Sequence, residues 1–225
     1  MDVCTFSVSD KVLAGSLVFV VDDDVSVREA IGSLLESVGI AVEQFEGATD
    51  LLARLRMHYA ERAGMPNCLV LDIRMPGIGG LELQHHLVAL DMHVPIVFVS
   101  AFGDISMTVQ AMKNGAQDFL VKPFRDQHLL ESVQGALRSD QLRRDEDHYA
   151  AELRERYTTL SERERRVLAL VARGLMNKQI AGELNLSEIT IKVHRAQVMR
   201  KMKAKTFADL VRMEERVREG SYVDH

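Results

Sequence analysis

The chain has 225 residues, of which 47% are apolar and 27% charged, with only 4 Pro and 14 Gly. Such a composition supplies apolar surface for sizeable cores, leaves little room for disordered tracts, and at about 100–200 residues per domain favours two small domains over one. The longest apolar runs, at 17–21 and 94–102, fall well short of the roughly 20 residues that a membrane-spanning helix needs.

The first 16 residues carry Asp2, Asp10 and Lys11 in place of a basic leader with an apolar core. No export signal or membrane partner is therefore read, and a cytoplasmic location is expected. Two cysteines, Cys4 and Cys68, do not make a disulfide framework. The net charge of −5 conceals an asymmetry: residues 1–138 hold 10 Lys and Arg against 18 Asp and Glu, whereas residues 139–225 hold 18 against 15. Seven basic residues and two acids fall within 176–205, a local field that attracts polyphosphate.

From 17 to 138 a short apolar run is followed five times by an amphipathic stretch, the pattern of β/α units around a parallel sheet. Strands are expected at 17–22, 40–45, 68–72, 95–100 and 117–121, three of them nearly all apolar, as strands covered on both faces should be. Helices are expected at 25–38, 48–62, 80–90, 104–113 and 126–138. The first carries Val27, Ile31, Leu34, Leu35 and Val38 at helical spacing and stops at Gly39, where a left-handed residue fits.

Residues 139–157 contain no Gly or Pro and place acids four residues before bases, Asp140 with Arg144 and Glu152 with Arg156. That favours a helical linker, either a strut spanning roughly 28 Å or a fraying solvated helix. Beyond it everything reads as helix. Ser161 with Glu164 makes a capping box, Gly174 ends that helix, and 177–184 forms a second. A tight turn at 185–187 leads to a third helix ending near Met202, and Thr206 caps a fourth. Two short helices about a three-residue turn is helix-turn-helix spacing. The chain thus divides into an N-terminal leader segment (1–16), an α/β domain (17–138), a helical linker (139–157) and an all-α domain (158–225).

Acids stand where the α/β strands end: Asp22, Asp23 and Asp24 after the first, Asp72 after the third. Ligand sites of open parallel sheets lie at those ends. Clustered carboxylates repel unless a cation joins them, and an all-oxygen set suits Mg²⁺. Ser100 and Lys122 end two further strands and offer a hydroxyl and a point charge. A carboxylate can attack phosphorus while Mg²⁺ and an ammonium neutralise the transferring oxygens. Acids after strands also cap helices, the role expected of Asp24; the joint placement at four strand ends is what points to chemistry.

VVDDD at 20–24, LVLDIRMPG at 69–77, VSAFGD at 99–104 and FLVKPF at 119–124 resemble the receiver domain of two-component response regulators. The resemblance implies a flavodoxin-like (βα)5 fold, with Asp72 as phosphoacceptor, Asp23 as a direct Mg²⁺ ligand and Asp22 as its water-linked partner. It makes the Arg74 main-chain carbonyl a backbone ligand, Ser100 a switch hydroxyl, Lys122 the phosphoryl partner and Lys122–Pro123 a cis peptide. Phe119 stands where the switching aromatic is more often Tyr, so its swing would be driven by packing alone; it could equally be plain core. Gly79 and Gly80 are expected to serve backbone geometry.

In the third helix of the C-terminal domain, Ile191, His194, Val198 and Met202 are expected to pack inward, leaving Lys192, Val193, Arg195, Gln197 and Arg200 outside. That face fits a DNA major groove. Residues 159–202, above all GLMNKQIAGELNLSEITIKVH, look like the LuxR-type helix-turn-helix of the FixJ and NarL class. By that resemblance Lys192 and Val193 read bases, Lys178, Thr190 and Arg200 contact phosphate, and Phe207, Leu210 and Val211 are dimer-contact candidates that could equally complete the core. Ala196 departs from the basic residue often found there.

The implied function is a phosphorylation-dependent transcription regulator and not an enzyme, by analogy an activator. Its partners would be a sensor histidine kinase, double-stranded promoter DNA, RNA polymerase and a second copy on phosphorylation. A Mg²⁺-dependent phosphohydrolase is disfavoured because it needs a second acid two residues after Asp72, where Arg74 stands. A receiver acting by protein–protein interaction alone is opposed by the C-terminal domain.

Overall fold

Nearly unbroken apolar runs in the first half predict strands with two buried faces, and the computed structural model of the chain, which describes residues 15–61, 65–101 and 104–220, shows how both are covered. Five strands, β1 (Leu17–Val21), β2 (Ala41–Phe45), β3 (Asn67–Asp72), β4 (Ile96–Ser100) and β5 (Asp118–Val121), form one sheet in the order β2-β1-β3-β4-β5 with every pairing parallel. Most of the N-terminal leader segment, residues 1–14, lies outside the described residues.

Successive side chains of a strand point to opposite faces, and each face has its own core. Phe19, Leu69, Leu71 and Phe98 face α2 (Ala48–Glu61), α3 (Gly80–Ala89) and α4 (Ile105–Lys113), where Leu51, Leu55, Leu83, Leu87 and Ala111 meet them. Val18, Val20, Val70 and Val97 face the opposite way, onto Ile31 and Leu35 of α1 (Val25–Ser37) and Leu129, Val133 and Leu137 of α5 (Asp126–Thr158). Gly39 takes φ +81° after α1, the left-handed stop its position predicts.

The helix expected to end at 138 does not end there. α5 runs unbroken for 33 residues, and the boundary between the two compact units of the chain falls inside it, between Arg144 and Asp145. Both i,i+4 pairs form: Arg144 Nε stands 2.5 Å from Asp140, and Arg156 pairs with Glu152. Asp140 is not a solvent-face residue. Its carboxylate is fully buried and accepts the main-chain N–H of Asn67 at 2.9 Å, besides Arg143 at 2.7 Å.

The second unit packs α6 (Glu162–Ala172), α7 (Asn177–Leu184), α8 (Glu188–Met202) and α9 (Phe207–Gly220) around Val167, Leu168, Val171, Ile180, Ile191 and Val198, with Leu153 from the end of α5. The capping box of Ser161 and Glu164 opens α6, and Ser187 caps α8 through the Thr190 N–H. Asn185 takes the left-handed conformation in the turn between α7 and α8.

Candidate functional site

The strand order reverses at β1, whose neighbours are β2 and β3, so the crevice beyond their carboxyl ends is where a ligand site is expected. Asp22 follows β1 and Asp72 ends β3; their residues are 1% and 5% exposed. Two carboxylates this deeply buried need a countercharge. Lys122, just past β5, supplies it: Nζ stands 2.5 Å from Asp22 Oδ2 and 2.8 Å from Asp72 Oδ1.

The remaining oxygens are also engaged. Asp22 Oδ1 accepts the N–H of Asp24 at 3.0 Å, and Asp72 Oδ2 accepts the N–H of Arg74 at 2.7 Å. Arg28, which sequence reasoning did not single out, donates to the Asp22 main-chain carbonyl at 2.5 Å. Burial pushes the Asp72 carboxyl above its ordinary pKa against the opposing pull of Lys122. Lys122 loses solvation too, yet its hydrogen bonds to both carboxylates hold its pKa above the ordinary lysine value.

The other expected site residues fall around this pair. Ser100 is buried at the end of β4, in register with Val121, and Asp23 is exposed beside Asp22. Asp24 caps α1 by accepting the N–H groups of Ser26 and Val27. Phe119 is partly buried, its ring 6.4 Å from that of Phe98. Lys122–Pro123 is cis. Gly80 is required by close approach: a Cβ there would lie 2.4 Å from the Asp72 main-chain oxygen. Gly77 takes φ +78° in the loop between them.

Among the described residues no three His, Cys, Asp or Glu side chains are already grouped as a metal cage. The donors that are present are nonetheless hard oxygens, and one ammonium between two carboxylates leaves the trio net negative. That chemistry fits Mg²⁺, which takes few protein ligands and keeps its waters.

In the second unit Lys178, Lys192, Val193 and Arg200 are exposed, and Thr190 is half-buried with its hydroxyl 2.8 Å from that of the cap Ser187. Arg195 is placed differently from expectation. It lies roughly 40° round the helix from Ile191, against roughly 60° for His194, so it borders the buried face. Its guanidinium stands 2.6 Å from Asn177 Oδ1 and 5.2 Å from the centre of the Phe207 ring. Lys201, part of the basic focus, is likewise engaged at 2.6 Å by buried Glu164. Of the dimer-contact candidates, Leu210 is 2% exposed and belongs to the core of its own unit, Val211 is half-buried and Phe207 is exposed.

An acid pair bridged by a lysine at the switch point of a five-stranded parallel sheet, followed by a helix-turn-helix, defines a regulator with a receiver and a DNA-binding part. A family model described as the response regulator receiver domain matches residues 18–134, and one described as bacterial regulatory proteins, luxR family, matches residues 158–214. Nodulation protein W of Bradyrhizobium diazoefficiens is 48% identical over 200 residues, 89% of this chain and 86% of that protein. The transcriptional regulatory protein FixJ of Azorhizobium caulinodans is 44% identical over 200 residues, 87% of this chain and 90% of that one. The solved structure of the response regulator StyR matches with a TM-score of 0.78 at 47% identity, covering 90% of this chain and 99% of that one.

The chain belongs to the FixJ-like response regulators, which join a receiver domain to a LuxR-type DNA-binding domain. It is a DNA-binding two-component response regulator, and a sensor kinase and DNA are the partners its two domains imply. No helix among the described residues is long and apolar enough to cross a membrane.

Proposed function

We propose that the chain is a transcriptional activator gated by phosphorylation of Asp72. The observation that carries this reading is the Lys122 ammonium lying between Asp22 and Asp72. A carboxylate oxygen of Asp72 attacks the phosphorus of a kinase phosphohistidine; the O–P bond forms as the P–N bond breaks. The histidine leaves as neutral imidazole, its other ring nitrogen already protonated. Lys122 would pair with the new phosphoryl oxygens, and Ser100 is the hydroxyl that would turn toward them. Asp22, Asp23, Asp72 and the Arg74 main-chain carbonyl would hold Mg²⁺, which supplies charge neutralisation on the transferring oxygens.

A groove of about 530 Å³ beside the site is lined by Val27, Ile31 and Leu34 of α1 with Lys122, Pro123 and Phe124. Because Lys122, which pairs with Asp72, also lines this groove, its occupant is a kinase helix presenting its phosphohistidine beside an apolar face. Along α4, Ile105, Val109 and Met112 are exposed at i, i+4 and i+7, with Val121 exposed on β5. That apolar stripe suits a second copy, joined on phosphorylation, with Phe207 and Val211 as further contacts in the DNA-binding unit. Lys192 and Val193 read bases, Lys178, Thr190 and Arg200 contact phosphate, and the DNA-bound dimer recruits RNA polymerase. Arg195, held by Asn177 and Phe207, is left out of the reading set.

Selection from a random duplex pool with Mg²⁺, with and without beryllofluoride as phosphoryl mimic, tests this reading. Enrichment of a paired half-site only in treated wild type, and not in Asp72→Asn, is expected. The same motif in every arm would show that the receiver does not gate DNA binding.

A further inference from the structure

On the outer side of α8 one stripe runs Ile189, Lys192 with Val193, Ala196 and Arg200, at spacings of three and four, and all five residues are exposed. Residues so spaced share a helix face. Two of the five are large and β-branched: Ile189 is 75% exposed and Val193 51%. Single exposed apolar residues need no explanation. These two are one helical turn apart, at the start of α8, inside the most basic stretch of the chain, with Lys192 between them. Neither helps the helix, since β-branched side chains are poorer helix formers than the alanine or lysine that solvent would tolerate there.

The chemistry that matches an apolar pair on a groove-facing helix is the thymine C5-methyl, the one apolar group on the major-groove edge of a base pair. We propose that Ile189 acts with Val193 as an apolar reading pair that packs on thymine methyls, which makes Ile189 a further specificity-determining residue. The inference rests on α8 being the recognition helix. Its Cβ atoms at i and i+4 are about 5–6 Å apart, and base pairs rise about 3.4 Å per step, so the two thymines should lie within two base pairs of each other. Lys192, roughly 60° round the helix from Ile189 at one border of the stripe, supplies the polar contact that sets their register. Arg195, held by Asn177 and Phe207 on another side of α8, takes no part in that stripe.

The test uses the full chain, activated with beryllofluoride and Mg²⁺, on the operator recovered by selection. Affinity is measured by fluorescence anisotropy on that duplex and on a set in which each thymine is replaced singly by deoxyuracil, which removes the methyl and nothing else. Two such replacements per half-site, at most two base pairs apart, should each weaken wild type about fourfold, the worth of roughly one buried methyl. Ile189→Ala should weaken operator binding and become insensitive to one of the two replacements, and Val193→Ala to the other. Binding to unrelated duplex should not change.

Operator binding by Ile189→Ala equal to wild type, or an undiminished response of that variant to every replacement, would overturn the inference. So would an operator with no thymine whose methyl matters. Lys192→Ala separates this from failure of the underlying reading. If Lys192→Ala loses specific binding while Ile189→Ala does not, α8 reads DNA and Ile189 plays no part. If neither does, α8 is not the recognition helix and both ideas fall.

Discussion

The carboxylate of Asp140 accepts the main-chain N–H of Asn67 at 2.9 Å, across 73 residues of sequence, where α5 meets the first residue of β3. Asn67 is itself fully buried, so this bond settles a donor at the start of the strand that water does not reach. Arg143 and Arg144 neutralise the acid from the next turn, and Arg143 also donates to the His93 carbonyl at 3.3 Å.

Asp140→Ala should therefore destabilise the receiver by roughly 3 kcal/mol, because removing one partner leaves buried donors without an acceptor. Asp140→Asn, which keeps an acceptor oxygen and loses the charge, should cost about half of that. Urea unfolding gives the totals, and amide exchange at Asn67 should quicken in both variants; an unchanged exchange rate would show that the bond does not hold the strand.

Replacing Lys122 by Met removes the countercharge between Asp22 and Asp72. A loss of roughly 3 kcal/mol is expected in metal-free buffer. Added Mg²⁺ should recover part of it, since a cation can take over the neutralisation. Melting temperatures with and without Mg²⁺ decide the point, and a variant as stable as wild type in chelator would mean that the carboxylates do not depend on Lys122.

Gly80→Ala places a methyl 2.4 Å from the Asp72 main-chain oxygen and 3.0 Å from the Ile73 Cα. Backbone cannot yield as a side-chain tip can, so α3 must move, at about 1–3 kcal/mol, and phosphorylation by a small-molecule donor should slow. Gly182→Ala on α7 is the contrast. No atom lies within 4 Å of a Cβ there, and the change should stabilise by about 0.5–1 kcal/mol.

Glu164 gives a pH dependence with a definite sign. Burial alone would raise its pKa, but hydrogen bonds from Lys201 and from the Ser161 N–H and hydroxyl outweigh that and hold it below the ordinary value of 4.5. A carboxyl depressed in the folded state stabilises fully above its unfolded pKa and loses that contribution as pH falls through the folded one. Stability of the DNA-binding unit should thus be flat in this respect from pH 7 to about pH 5 and decline below about pH 4.5. Glu164→Gln should flatten the decline; a variant with the same acid profile would show that other carboxyls carry it.

Strand positions and the acid site were legible because their signals are local. Five apolar runs announce five strands, and Asp22, Asp72 and Lys122 each follow one directly. What spacing could not show was depth. Asp140 with Arg144 reads the same whether the pair faces water or is buried, and only the packing of α5 on β3 distinguishes the two. Arg195 was missed for the opposite reason. Its spacing with Ile191, Val198 and Met202 marks it as bordering the core, but its charge suggested an outward role. Leu210 fits both a core and an interface pattern, and the fold resolves it as core.

The Arg195 guanidinium over the Phe207 ring joins α8 to an exposed aromatic at the start of α9. If α8 meets DNA and Phe207 meets a second copy, as proposed, operator preference and self-association share this one pair of side chains, and neither property can drift far without the other. In a chimera that grafts α8 of one regulator onto another, position 207 would have to travel with position 195. A graft that separated them would exchange the reading residues and lose the seat on which their helix rests.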